Sequence, residues 1–230
     1  MKKIFEKNET LFSILLIVLY LVVNSICLNN FGMVDYRTAL TNSIFSIGLI
    51  TFIIYLKRVK YYGITRAENS KRFLYFLPLL LILSVNLWNG ININNTSGEI
   101  IFHILNMINV GFIEEIIFRG FLFKMMAKDK VKSAIIVSSI TFGVGHIINL
   151  FTGADVLMTL LQVCYATSIG YLFTIIFYKS KSLLPCIITH SIMNSLSIFN
   201  NNDTIISGLF LIVVPLIYAF YINKKEGVVC

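Results

Sequence analysis

Residues 100–119 read IIFHILNMINVGFIEEIIFR. The run is long and apolar enough to cross a bilayer, yet its second half carries Glu114, Glu115 and Arg119. An ionisable side chain near the bilayer centre costs about 2.5–3.5 kcal/mol even on the most lenient scale. Two adjacent carboxylates there point to a site facing the protein interior. The stretch therefore fixes two expectations together, a membrane-embedded helix and a polar cavity beside it.

The rest of the chain agrees with a membrane setting. It has 230 residues, of which 57% are hydrophobic, against about 45–50% in a soluble domain. Its mean hydropathy is +0.83. Eight apolar segments can be marked, at approximately 11–29, 39–56, 73–88, 99–125, 133–151, 156–178, 183–199 and 204–222. Most approach the roughly 17–25 residues of a spanning helix. The expected fold is an all-α, polytopic membrane helix bundle of about eight transmembrane helices. Residues 1–230 form one integral membrane domain, with a motif-bearing core at 99–199. Met1-Lys2-Lys3 before the first apolar run resembles a signal peptide, but no small-residue cleavage site follows. That run reads as a retained first helix.

The formal charge of +8 is concentrated at alternate segment ends, and only Arg37 and Arg119 lie outside that set. The positive-inside rule then puts both termini and the lysine-rich loops in the cytoplasm. The basic residues flank apolar runs and no nucleic-acid-binding motif interrupts those runs, so the lipid bilayer is the expected partner rather than nucleic acid. Cys27, Cys164, Cys186 and Cys230 show no CxxC spacing, which leaves neither a thiolate metal site nor a disulfide framework. Pro185 falls in the first turn of its segment; Pro78 and Pro215 are interior and predict kinks. No internal repeat is visible, which counts against a proton-coupled transporter.

Few strongly polar groups remain inside the apolar segments. Glu115 and Arg119 are four residues apart, on one helical face, and form a natural ion pair. Glu114 is rotated about 100° from Glu115 and is left free for chemistry. Phe142 and His146 share a face, with Gly143 and Gly145 between them giving room for close helix approach. His190 and Asn194 also share a face. His103 lies three turns before Glu114, about 16 Å along the axis, and reads as interfacial and non-catalytic. Lipid forces such groups inward, so three helices should converge on one cavity.

These residue types suit amide hydrolysis without a covalent intermediate. Glu114 with His146 can deprotonate a water. His190 and Asn194 can donate hydrogen bonds to an oxyanion. No GxSxG nucleophile motif appears. A zinc ion, if one takes part, would be held by Glu114, His146 and His190. The spacing is not that of HExxH, so the cofactor question stays open at this level.

The ordered set Glu114-Glu115-x-x-x-Arg119, Phe142-x-x-x-His146 and His190-x-x-x-Asn194 resembles the CPBP family. These are the CaaX proteases and bacteriocin-processing enzymes, also called the Abi family of intramembrane proteases. The resemblance implies an endopeptidase with its cavity inside the membrane. It implies that Glu114 and His146 activate water and that His190 and Asn194 stabilise the oxyanion, with Glu115, Arg119 and Phe142 in support. The family is often called a metalloprotease family. The implied substrate is a membrane-associated peptide or protein, and the implied place is a bacterial cytoplasmic membrane. Bacterial members are linked to bacteriocin or pheromone maturation and to self-immunity. The alternative function is a non-catalytic bacteriocin immunity protein.

Overall fold

The computed structural model describes residues 1–67 and 78–225. Among these the chain is all-helical, and a lone antiparallel bridge joins Ile91 to Asn200. A short α1 (Lys2–Lys7) leads into α2 (Glu9–Phe31) and α3 (Tyr36–Tyr55). After it come a short α4 (Leu79–Ser84) and the long α5 (Ser97–Met126). The bundle closes with α6 (Val131–Gly145), α7 (Val156–Ser180), α8 (Leu184–Leu196) and α9 (Ile205–Lys225).

Among the described residues six helices are long and apolar enough to cross a membrane, where eight were expected over the whole chain. The seventh expected segment is the 13-residue α8. It is too short to span because Pro185 fixes its start and a 3-10 turn at Ser197–Phe199 ends it. The third expected segment begins at 73, outside the described residues. Its remainder is α4 and a 3-10 turn, and Pro78 stands at the cap of α4 rather than inside it. Pro215 lies within α9.

Large apolar side chains cover the outside. Ile14, Val18 and Val22 on α2, and Ile44 and Ile47 on α3, are all about half exposed or more. Such a surface is tolerable only against lipid. The centre is packed tightly by two glycines. A Cβ on Gly111 of α5 would come within 2.8 Å of the Ser191 backbone nitrogen on α8. One on Gly143 of α6 would lie 2.6 Å from the Val163 carbonyl on α7. Gly145 is different, because a Cβ there meets only ordinary contacts at 3.8 Å. The close approach expected of Gly143 is real and that of Gly145 is not.

The two ends of the bundle differ in chemistry. At one end Glu9 of α2 takes Arg58 at 3.4 Å and also Lys128. Lys124 lies over Tyr61 at 4.9 Å, and Lys181 over Tyr178 at 4.4 Å. Leu183 N–H donates to the Gly63 carbonyl and Ser182 Oγ to that of Thr65. The basic loops thus gather together. Beneath them Phe5, Phe12, Phe52, Tyr62 and Phe121 form one aromatic cluster, with ring centroids 4.7–6.4 Å apart. At the other end Asn92 N–H donates to the Phe199 carbonyl and Asn89 Nδ2 to that of Asn202, both at 2.9 Å.

Overpacking a tight helix contact costs about 1–3 kcal/mol. Gly143→Val should lower detergent-solubilised stability by that amount, while Gly145→Ala leaves it unchanged. Equal unfolding midpoints for the two variants would contradict this packing.

Candidate active site

The site begins with an irregularity in α5. Directly after Glu115 the helix widens into a π-helix over Ile116–Phe123, and all eight of its residues are buried. Such widening redirects side chains and leaves carbonyls to be satisfied from elsewhere. Here Ser138 Oγ of α6 donates to the Phe118 carbonyl at 2.8 Å. The strain-prone turn is therefore anchored to its neighbour.

Within this turn Arg119 and Glu115 are both fully buried. Arg119 Nη1 donates to Glu115 Oε1 at 3.1 Å. The guanidinium also lies over Phe142, 4.1 Å from the ring centroid, with Phe173 at 5.9 Å. A desolvated cation over a ring face gains about 2 kcal/mol. That contact matters because Arg119 Nε and Nη2 have no hydrogen-bond partner among the described residues. His190 of α8 meets the same carboxylate, with Nδ1 2.9 Å from Glu115 Oε1. One oxygen of Glu115 thus ties α8 to α5.

Glu114 faces differently. Tyr20 of α2 donates its hydroxyl to Glu114 Oε1 at 3.1 Å. Glu114 Oε2 lies 3.6 Å from His190 Nε2 and has no hydrogen-bond partner among the described residues. Glu114 opens on a cavity of about 520 Å³, whose walls also carry His146 and Asn194. His146 stands at the C-terminal end of α6. Phe142 lies between the two histidines, edge-on to His146 at 5.3 Å and to His190 at 5.7 Å.

The arrangement unites the residues singled out from sequence. Glu114, Glu115, Arg119, Phe142 and His190 are in direct contact. His146 and Asn194 join them through the cavity wall. His190 itself is 4% exposed and sits behind Glu114 rather than on that wall. His103 departs from its interfacial reading. It is buried, with Nε2 3.3 Å from the Asn194 carbonyl and 3.2 Å from Ser197 Oγ. It braces the end of α8 because the helix carbonyls there need partners.

Tyr20 is the residue that sequence reading missed. Its one signal is a lone phenol in the middle of an otherwise aliphatic run, Leu16–Val23, and a tyrosine in a span is ordinarily an interfacial anchor. Among the described residues no three His, Cys, Asp or Glu side chains are grouped as a metal ion requires. Glu114, His146 and His190 are thus not grouped as a zinc ligand set in this arrangement.

Residues 96–196 match the family of Rce1-like, type II CAAX prenyl endopeptidases. Over that stretch, a little under half of the sequence, the chain is similar to the CPBP-family proteases. The matched stretch runs from the cap of α5 to the end of α8, and it holds all three motifs. Tyr20 lies outside it. No curated protein matches the chain by sequence. The six apolar helices among the described residues, with that similarity, make this a multi-pass membrane protein.

Removing one partner of a buried ion pair costs about 3–5 kcal/mol. Arg119→Ala should therefore reduce the yield of folded protein more than His190→Ala does, since Glu115 keeps Arg119 in the second variant. Size-exclusion recovery of both from membranes would show it, and equal recovery would refute the pairing.

Proposed function

We propose that the protein is an intramembrane endopeptidase that hydrolyses membrane-associated peptides or proteins with a water activated by Glu114 and His146. The carrying observation is Glu114 itself. It is a carboxylate 9% exposed, held by Tyr20 on one oxygen and open toward a cavity on the other side. Glu115 is fully buried and absent from the cavity wall, so of the two adjacent carboxylates Glu114 is the one that can reach a water there.

The chemistry follows from the geometry. A water between Glu114 and His146 loses a proton to Glu114 as its oxygen attacks the scissile carbonyl carbon. The carbonyl π bond opens and its oxygen takes the negative charge. Asn194, on the cavity wall, donates its side-chain N–H to that oxygen. His190, with Nδ1 2.9 Å from Glu115 Oε1, turns its Nε2 toward Glu114 at 3.6 Å and so toward the same region from behind the wall. The C–N bond then breaks as Glu114 returns the proton to the leaving amine. Preorganised donors of this kind contribute about 10²–10³ in rate, and general acid–base catalysis about 10²–10⁴.

No metal enters this sequence of steps. The bacteriocin- or pheromone-processing role and a place in a bacterial cytoplasmic membrane belong to this same proposal, on the family resemblance alone.

The test is proteolysis by purified protein against internally quenched peptides, with a prenylated CaaX peptide included. Glu114→Gln and His146→Ala should each lose about 10²–10⁴ in kcat/KM with unchanged unfolding midpoints. Full cleavage by folded Glu114→Gln would overturn the hydrolase reading and leave a binding role such as immunity. Tyr20→Phe removes one hydrogen bond to a charged group, worth about 1.5–3 kcal/mol. It should lower kcat about tenfold or more while leaving KM nearly unchanged.

A further inference from the structure

Resting on the peptidase reading, we infer that His103 is a positioning residue for the reaction. Through the backbone carbonyl of Asn194 it holds the oxyanion donor in place at the end of α8. His103 is buried and absent from the cavity wall, so any part it plays passes through another group.

Asn194 lies in the last turn of α8, which ends at Leu196. The final four carbonyls of a helix lack intrahelical partners, so this turn is the least constrained part of α8. Here two of those carbonyls are taken up by side chains from other elements. Asn86, in the 3-10 turn after α4, donates Nδ2 to the Met193 carbonyl at 2.6 Å. His103 of α5 brings Nε2 to 3.3 Å from the Asn194 carbonyl and 3.2 Å from Ser197 Oγ. Ser197 Oγ donates to that same carbonyl at 2.7 Å. A carbonyl only accepts, and Ser197 spends its proton on it, so Nε2 carries the imidazole hydrogen. In the neutral ring Nδ1 is then a lone pair, and it has no hydrogen-bond partner among the described residues. The one N–H of His103 is thus given entirely to the end of α8.

The same helix carries His103 and Glu114, about 16 Å apart along its axis. Between them α8 is registered against α5 in antiparallel order. His103 meets Asn194 and Ser197, the Ile108 carbonyl accepts from Ser191 Oγ at 3.2 Å, Gly111 admits the Ser191 backbone, and Glu115 faces His190. The contact at Glu115 places His190, and the contact at His103 places Asn194. Without His103, α5 grips α8 only at Ser191 and His190, and the turn bearing Asn194 is free to swing about that anchor. A misplacement of about 1 Å in a reacting arrangement costs about a hundredfold in rate. A general brace would serve stability wherever it touched α8. This one meets the carbonyl of the very residue whose amide stands on the cavity wall with Glu114 and His146, so its loss is read in rate.

The test is a double-mutant cycle on the purified protein with a quenched peptide. His103→Leu fills the space and removes the N–H, whereas His103→Gln keeps an N–H near the Nε2 position. The leucine variant should lose about tenfold to a hundredfold in kcat with KM nearly unchanged, and the glutamine variant should regain most of it. The loss should not exceed that of Asn194→Ala, about 10²–10³. Adding His103→Leu to Asn194→Ala should cause no further fall, because both act through one group. Losses that multiply in the double variant, or wild-type kcat in folded His103→Leu, overturn the inference and leave the peptidase reading standing. Hydrogen–deuterium exchange over residues 190–199 reads the clamp without substrate. Exchange should quicken in His103→Leu and slow again in His103→Gln, and exchange unaltered by His103→Leu overturns the clamp. A wild-type protein that cuts no peptide counts instead against the hydrolase reading, and the exchange measurement still decides whether His103 holds the end of α8. Should His103→Leu fail to fold, Ser197→Ala removes another donor to the same carbonyl and goes through the same cycle, where losses multiplying with those of Asn194→Ala again overturn the inference.

Discussion

Everything in the bundle is organised around one shared oxygen, Oε1 of Glu115. It accepts from Arg119 at 3.1 Å and faces His190 Nδ1 at 2.9 Å, with none of the three groups appreciably exposed. In hydrocarbon an ion has no solvent to fall back on, so its partners must arrive from protein. Arg119 comes from the same helix, and His190 comes from a helix seventy-five residues away. The glycine at 111 lets that second helix come close enough for the contact. The charge cluster thus fixes where α5 and α8 sit, and the cavity is what the remaining helices leave beside it.

The π-helix makes the cluster geometrically feasible. A regular α-helix offers Arg119 to Glu115 along one face, but the chain must also bring Phe118 against Phe142 and keep Phe121 in the aromatic floor. Widening the turn over Ile116–Phe123 spreads these side chains around the axis while the ion pair survives. The cost is a displaced carbonyl at Phe118, which Ser138 of α6 covers. Two neighbouring carboxylates then meet opposite conditions. Glu115 is turned into the packed side between Arg119 and His190, and Glu114 is turned toward the cavity with a phenol.

Much of this was legible from residue spacing, and for a physical reason. Charges in an apolar run are few and costly, so the Glu115–Arg119 pair and the gathering of Glu114, His146 and Asn194 around one cavity follow from helical periodicity. What spacing hides is anything set by a neighbouring helix or by backbone irregularity. The π-turn leaves no mark in a hydropathy pattern. The burial of His103 depends on where α8 ends, which its residues fix only in the folded bundle. An apolar segment whose helix is only 13 residues long, as α8 is, looks like a full membrane span when its partners are unknown. Gly145 looked equivalent to Gly143, yet only Gly143 lies against the backbone of a neighbouring helix.

Tyr20 shows why the domain needs the helix before it. The matched stretch begins at residue 96, yet one oxygen of its central carboxylate is held by a side chain from α2. That same helix enters through Glu9, which gathers Arg58 and Lys128 at the basic end. α2 is thus pinned by charge at one end and reaches Glu114 by a hydrogen bond about eleven residues further on, roughly 16 Å along its axis. Its aromatic residues Phe12 and Tyr20 lie between these points, the first in the aromatic cluster at the basic end and the second against the cavity. A single helix therefore joins the basic end of the bundle to the site and orients the carboxylate that stands there.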